Sequence, residues 1–148
     1  MKRASFYSAF LLCLCSIAYA QYTGNTLKLG TDRPFAGQPI ALTYNPKNTK
    51  LAESPAVEMT VYWLRAKSEP IAQAISLEKK GENFETKITA PSEAVAFCIV
   101  PQYEEKKDFN NGLTYAFLLY GADNKPLPGS YAGLGYAYAN YYYDMGLE

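Results

Sequence analysis

The stretch Val57-Glu58-Met59-Thr60-Val61-Tyr62-Trp63-Leu64 decides the fold class. Successive side chains of a strand point to opposite faces, so alternation here puts Val57, Met59, Val61 and Trp63 together on one buried face. The same period of two recurs on both sides. Upstream, residues 26–29 form a short first strand, and Ile40, Leu42 and Tyr44 alternate with Ala41 and Thr43 between the turn residues Gly37 and Pro46. Downstream, residues 71–79 and 83–89 flank Lys80-Gly81-Glu82 as a hairpin, its second strand inward at Phe84, Thr86 and Ile88 and outward at Glu85 and Lys87. Residues 94–100 and 113–120 complete a set of about seven strands, which predicts an all-β antiparallel sandwich.

The last two strands are apolar on both faces. Leu113, Tyr115, Phe117 and Leu119 lie on one side of the final strand and Ala116, Leu118 and Tyr120 on the other. An antiparallel sheet is able to leave one face wet, so doubled apolarity predicts a cover packed outside the sandwich. The tail is the expected cover. Beyond the Pro/Gly-rich boundary Asn124-Lys125-Pro126-Leu127-Pro128-Gly129, Ser130 is the expected N-cap, and Tyr131, Leu134, Tyr138, Tyr141 and Met145 recur with helical spacing, with Gly146 as the expected C-terminal cap. Tyr136 and Tyr143 widen the aromatic band. Glycines at 133 and 135 each cost roughly 1 kcal/mol against alanine, so this helix needs a partner surface, expected around Ala96, Cys98, Leu118 and Tyr120. The helical segment is expected to be only the start of a longer one.

The amino terminus points to export. Lys2 and Arg3 precede an apolar run over residues 6–17, and Ala18-Tyr19-Ala20 offers small residues at the two positions a signal peptidase reads, with Gln21 as the expected first mature residue. The run is too short to span a bilayer, which needs about 20 residues. Leu12 and Leu14 precede Cys13 and Cys15 where a lipobox needs a small residue, so a soluble periplasmic or extracellular protein is expected rather than a lipoprotein. Removing 20 residues from 148 leaves 128, enough for one domain. Loss of Lys2 and Arg3 leaves 12 basic against 14 acidic residues, a net charge of −2 that offers no electrostatic case for nucleic acid or anionic membrane. The pairs Lys79-Lys80 and Lys106-Lys107 sit beside acids and are read as solvated turn edges.

No catalytic constellation emerges. The chain has no histidine, which removes the usual triad, a His-ligated zinc and the commonest general base near neutral pH. After export Cys98 is the only cysteine, in an apolar strand with no neighbouring cation to lower its pKa, and is read as a buried small hydrophobe. Asp108-Phe109-Asn110-Asn111-Gly112 brings three oxygen-bearing side chains together, but its glycine is misplaced for an EF-hand and the segment is read as a turn. The Gly-x-Ser-x-Gly and Cys-x-x-Cys patterns and a glycine-rich phosphate loop do not occur.

The strand order with a tryptophan on the third strand resembles an immunoglobulin-type sandwich, and Cys98 falls on the sixth strand, where antibody domains carry half of their disulfide. The run Pro34-Phe35-Ala36-Gly37-Gln38-Pro39-Ile40-Ala41-Leu42-Thr43-Tyr44-Asn45-Pro46 resembles the opening of the N-terminal immunoglobulin-like segment of exported thioredoxin-fold, thiol-disulfide oxidoreductase-like proteins of Gram-negative bacteria. Residues 51–62, 108–115 and 119–129 fit the same resemblance. In that family a helical stretch and a redox domain with Cys-x-x-Cys follow, and no redox residue carries over to any position here. The expectation is therefore a leader over 1–20, an immunoglobulin-like sandwich over 21–125, and a linker with the start of a helix over 126–148. Its expected role is a non-catalytic docking module without cofactor or metal. The partner is a protein or a downstream domain of the same polypeptide, met through Leu118, Tyr120, Tyr131, Tyr138, Tyr141 and Tyr142, surfaces through which the chain also self-associates. The alternative is a carbohydrate- or surface-binding sandwich, for which the tyrosines would serve as stacking platforms.

Overall fold

The computed structural model describes residues 24–145, apart from the side chains of Tyr142 and Tyr143. The expected leader with Ala18, Ala20 and Gln21, the cysteines Cys13 and Cys15, and the capping residue Gly146 lie outside the described residues. Among the described residues, strands β1 (Leu27–Leu29), β2 (Pro39–Tyr44), β5 (Glu78–Lys80) and β6 (Asn83–Thr89) pair in the order β1-β2-β6-β5. The facing sheet holds β3 (Glu58–Leu64), β4 (Ile71–Ser76), β7 (Ala96–Tyr103), β8 (Lys106–Lys107) and β9 (Tyr115–Leu118), ordered β4-β3-β7 with both β8 and β9 pairing to β7. All named pairs are antiparallel. Assigned in chain order, these are strands A-B-E-D against C′-C-F-G, the pairing of an immunoglobulin-type sandwich. The helices α1 (Ser130–Asn140) and α2 (Tyr142–Met145) follow.

The core between the sheets is what the alternation predicts. Val57, Met59, Val61 and Trp63 are all buried in it, together with Ile40, Leu42, Tyr44, Phe84 and Ile88 from the opposite sheet. The Trp63 and Phe97 rings stand 5.3 Å apart and those of Phe97 and Phe117 5.1 Å, an aromatic stack running through the registered trio of β3, β7 and β9. Trp63 Nε1 donates to Gln73 Oε1 at 2.9 Å, so the one buried donor of the ring is met by the neighbouring strand.

Two expectations need revision. Residues 71–79 are two strands: β4 pairs with β3, and the chain crosses at Leu77, whose N–H donates to Val57 O at 3.2 Å, to place β5 against β6 in the other sheet. Inward alternation continues across that corner through Ile71, Ile75 and Leu77, so periodicity alone cannot show which sheet is joined. Leu113 is 69% exposed and outside the core face, because Asn110–Gly112 form a 3-10 turn and Thr114 at φ 50° reorients the chain before β9. Cys98 lies on the F-like strand and, as expected for the surface beneath the helix, faces out of the sandwich; its registered neighbours are Tyr62 and Ala116, and Phe97 takes the inward position.

Candidate interaction site

The outer face of the β3-β7-β9 sheet is apolar and covered. Leu64, Ala96, Cys98 and Leu118 from the strands meet Leu134, Ala137 and Met145 from the helices, with Tyr62, Ala116, Tyr120 and Tyr141 at the margin. The approach is close. A Cβ on Gly133 would stand 3.2 Å from both Arg65 O and Val95 Cγ2, tighter than an ordinary contact, so a larger residue there would require these neighbours to give way. Gly129 opens the helix at φ 87°, where a Cβ would stand 2.5 Å from that of Ala66. Gly129 is the N-cap, and Ser130, expected in that role, instead turns its hydroxyl back to donate to Leu127 O.

Such proximity decides which side of the helix faces in. Ser130, Gly133, Leu134 and Ala137 are buried, a stripe of mostly small residues, while Tyr131, Tyr136 and Tyr138 are 52%, 40% and 41% exposed. The expected stripe through Tyr131 and Tyr138 is thus rotated outward, because a phenol ring does not fit in the gap that Gly133 defines. Of the other residues proposed for an interaction surface, Leu118 is buried under the helix, and Tyr120 is half-buried and bridged to Phe35 and Pro126. Tyr141 is half-buried with its ring 6.0 Å from that of Tyr136. The side chain of Tyr142 lies outside those described. The structure therefore places Tyr131, Tyr136 and Tyr138 on α1 and Tyr141 at its C-cap, with Leu118 beneath the helix.

Beneath α1, burial pushes the Cys98 thiol up from its ordinary 9.0 to about 12. Burial, then the nearby Asp144 charge, raises Tyr62 in the same direction. Below pH 9 the Cys98 thiol is protonated whether the chain is folded or not, and contributes no pH dependence. Above it only the unfolded chain releases the proton, so stability should fall with rising pH, by up to about 1.4 kcal/mol per unit from this group. Chemical denaturation from pH 7 to 10 should show that decline, and Cys98→Ala should flatten it while costing roughly 1 kcal/mol near neutrality. Rapid labelling of the native thiol at pH 8 would contradict the buried assignment.

A second constellation escaped the sequence. Asp108 is buried, and its Oδ2 accepts hydroxyl hydrogen bonds from Tyr44 and Tyr115, each at 2.7 Å, while Oδ1 accepts from Asn110 N at 2.9 Å. This carboxylate anchors a strained loop in which Asn110, Asn111, Gly112 and Thr114 all have positive φ. Asn110 Nδ2 donates to Thr114 O at 3.0 Å and Thr114 N to Phe109 O at 3.0 Å, while Thr114 Oγ1 is buried without a hydrogen-bond partner among the described residues. Beside it opens a cleft of about 530 Å³ lined by Thr26, Asn48, Thr49, Lys50, Phe109 and Asn111 among others. Tyr44 is 64 residues from Asp108, and no local pattern joins them. Among the described residues no cluster of three or more acidic, cysteine or histidine side chains is arranged to hold a metal ion. None of their helices is long and apolar enough to cross a membrane.

Comparison with protein-family models, with curated proteins and with solved structures finds no match to this chain.

Proposed function

We propose that the chain is an exported, non-catalytic immunoglobulin-like module that docks a protein partner, separate or in the same polypeptide, through the outward face of α1. One observation carries the reading: a helix held to the sandwich by glycine and alanine turns Tyr131, Tyr136 and Tyr138 to solvent. Tyrosines on a braced element give large contact area at low entropic cost, the property that makes this residue frequent at interfaces. The resemblance to the N-terminal segment of thioredoxin-fold exported proteins supports the same role, in which the module presents its aromatic face to a neighbouring domain. A photo-crosslinking amino acid at Tyr136, in protein expressed with its leader, should give one discrete protein adduct. Tyr131→Ser with Tyr138→Ser should suppress it. Adducts no stronger than those from a probe at Lys87, exposed on the opposite sheet, would reject the docking face.

The cleft beside Asp108 favours a second reading, recognition of a polyhydroxylated ligand such as a saccharide. Its lining combines the amide residues Asn48 and Asn111, the hydroxyl residues Thr26 and Thr49, Lys50 and the aromatic Phe109, and backbone strain concentrates in the loop that lines it. Polysaccharide retention that survives the tyrosine changes but falls with Phe109→Ala would select this reading over docking.

A further inference from the structure

Most edges in this sandwich are guarded. Strand β5 is Glu78-Lys79-Lys80, β8 is Lys106-Lys107, and β1 has only three residues, with Lys28 in the middle. Charges and short length are the ordinary devices that stop one sheet edge from pairing with another. Strand β9, Tyr115-Ala116-Phe117-Leu118, also lacks charge, but it has only four residues, three of them buried; β4 is longer and exposed. Strand β4 is six residues long, Ile71-Ala72-Gln73-Ala74-Ile75-Ser76, holds no charge and no proline, and forms the edge of its sheet, paired only with β3 among the described residues. Ala72, Gln73, Ala74 and Ser76 are exposed, and the helices pack against β3 and β7 rather than over this edge.

The strand also reads the same in both directions, Ile-Ala-Gln-Ala-Ile, centred on Gln73. We infer that β4 is a self-pairing edge through which two copies of this chain associate antiparallel about a two-fold axis at Gln73. In that register Ile71 faces Ile75 of the second copy twice, Ala72 faces Ala74 twice, and Gln73 meets its own equivalent. An isologous contact requires a patch complementary to itself, and a palindromic strand satisfies this residue by residue. A slip of two residues sets isoleucine against glutamine and removes the match. Ile71 and Ile75 are half-buried at the open margin of the core, so pairing covers apolar surface that the single sandwich leaves wet. Pro70 at one end and the crossing at Leu77 at the other limit the ladder to β4 itself. The occupant is a second copy because nothing else matches the register so fully. The tyrosine face of α1 is on separate elements and stays open in the pair.

Sedimentation equilibrium on the exported protein tests this. A reversible dimer is expected. Ala72→Lys combined with Ala74→Lys sets like charges opposite one another twice and should raise the dimer dissociation constant about tenfold or more. Both positions are exposed, so the fold should survive, as a retained thermal transition would verify. Ala72→Lys combined with Ala74→Glu places opposite charges in register across the axis and should restore the dimer. A monomer at every accessible concentration overturns the inference. So does a dimer indifferent to the lysine pair, or one abolished instead by Tyr131→Ser, Tyr136→Ser and Tyr138→Ser together, which would assign self-association to the helix.

Discussion

Replacing Asp108 with alanine should lower the unfolding free energy by about 3–5 kcal/mol, among the largest losses expected from any single position in this chain. The side chain is buried, and one carboxylate accepts from two buried phenols and a backbone N–H. Alanine removes all three acceptor interactions at once. It also releases the loop at Asn110, Asn111 and Thr114, whose left-handed conformations persist only while neighbouring bonds over-determine them. Asparagine is the sharper probe. Its single oxygen can serve the two tyrosines or Asn110 N, but its NH2 group cannot accept from the remaining donor, so Asp108→Asn should fall between alanine and the parent. Urea denaturation of the three proteins measures the series. An alanine variant within about 0.5 kcal/mol of the parent would mean that the hydroxyls re-pair at no expense and that Asp108 holds nothing together.

Gly133→Leu should lift α1 from the sheet while leaving the sandwich folded. A Cβ at this position already crowds Arg65 O and Val95 Cγ2 at 3.2 Å, and a leucine adds three further carbons at a buried point of the helix–sheet contact. Overpacking of this kind costs about 1–3 kcal/mol, and here it falls on one element that the two sheets do not need for their own pairing. Cys98 then becomes the reporter, since it is buried beneath that helix. Its reaction with a thiol reagent should quicken roughly tenfold to a hundredfold, with amide exchange in β2 and β6 unchanged. Unchanged labelling would show that the helix tolerates the side chain and that the contact at Gly133 does not set its height.

The sandwich was legible because its signal is local. Alternation at Val57, Met59, Val61 and Trp63 reports which face is buried without reference to any distant residue, and the doubled apolarity of Leu118 with Ala116 announced a cover before the cover was seen. The tail was legible in outline only. The bulky tyrosines carry the helical period, whereas the sheet-facing side is set by Gly133 and Ala137, four residues apart, whose importance lies in what they leave empty. The strand switch at Leu77 was hidden because a crossing chain keeps its inward and outward alternation. Asp108 was hidden for the opposite reason: its partners, Tyr44 and Tyr115, come from other elements, and one acid in the charged run 104–108 gives no sign of burial. The outward face of Cys98 was legible from alternation, whereas its registry with Tyr62 and Ala116 depends on the pairing of three strands.

The placement of Trp63 has an optical consequence. It is the chain's one tryptophan, fully buried between the sheets, 5.3 Å from Phe97 and bonded to Gln73. Its emission should be blue-shifted in the native state and move to the red when the sheets separate. None of the tyrosines on α1 is its neighbour in the core, so occupation of the helix face should leave the spectrum nearly still. Gln73, by contrast, ties the indole to the rim of the sheet, and a change in hydration along that rim is transmitted to the ring by a single hydrogen bond. The molecule thus carries a chromophore that reads the integrity of its sandwich and the state of one edge, and is dark to events on the helix.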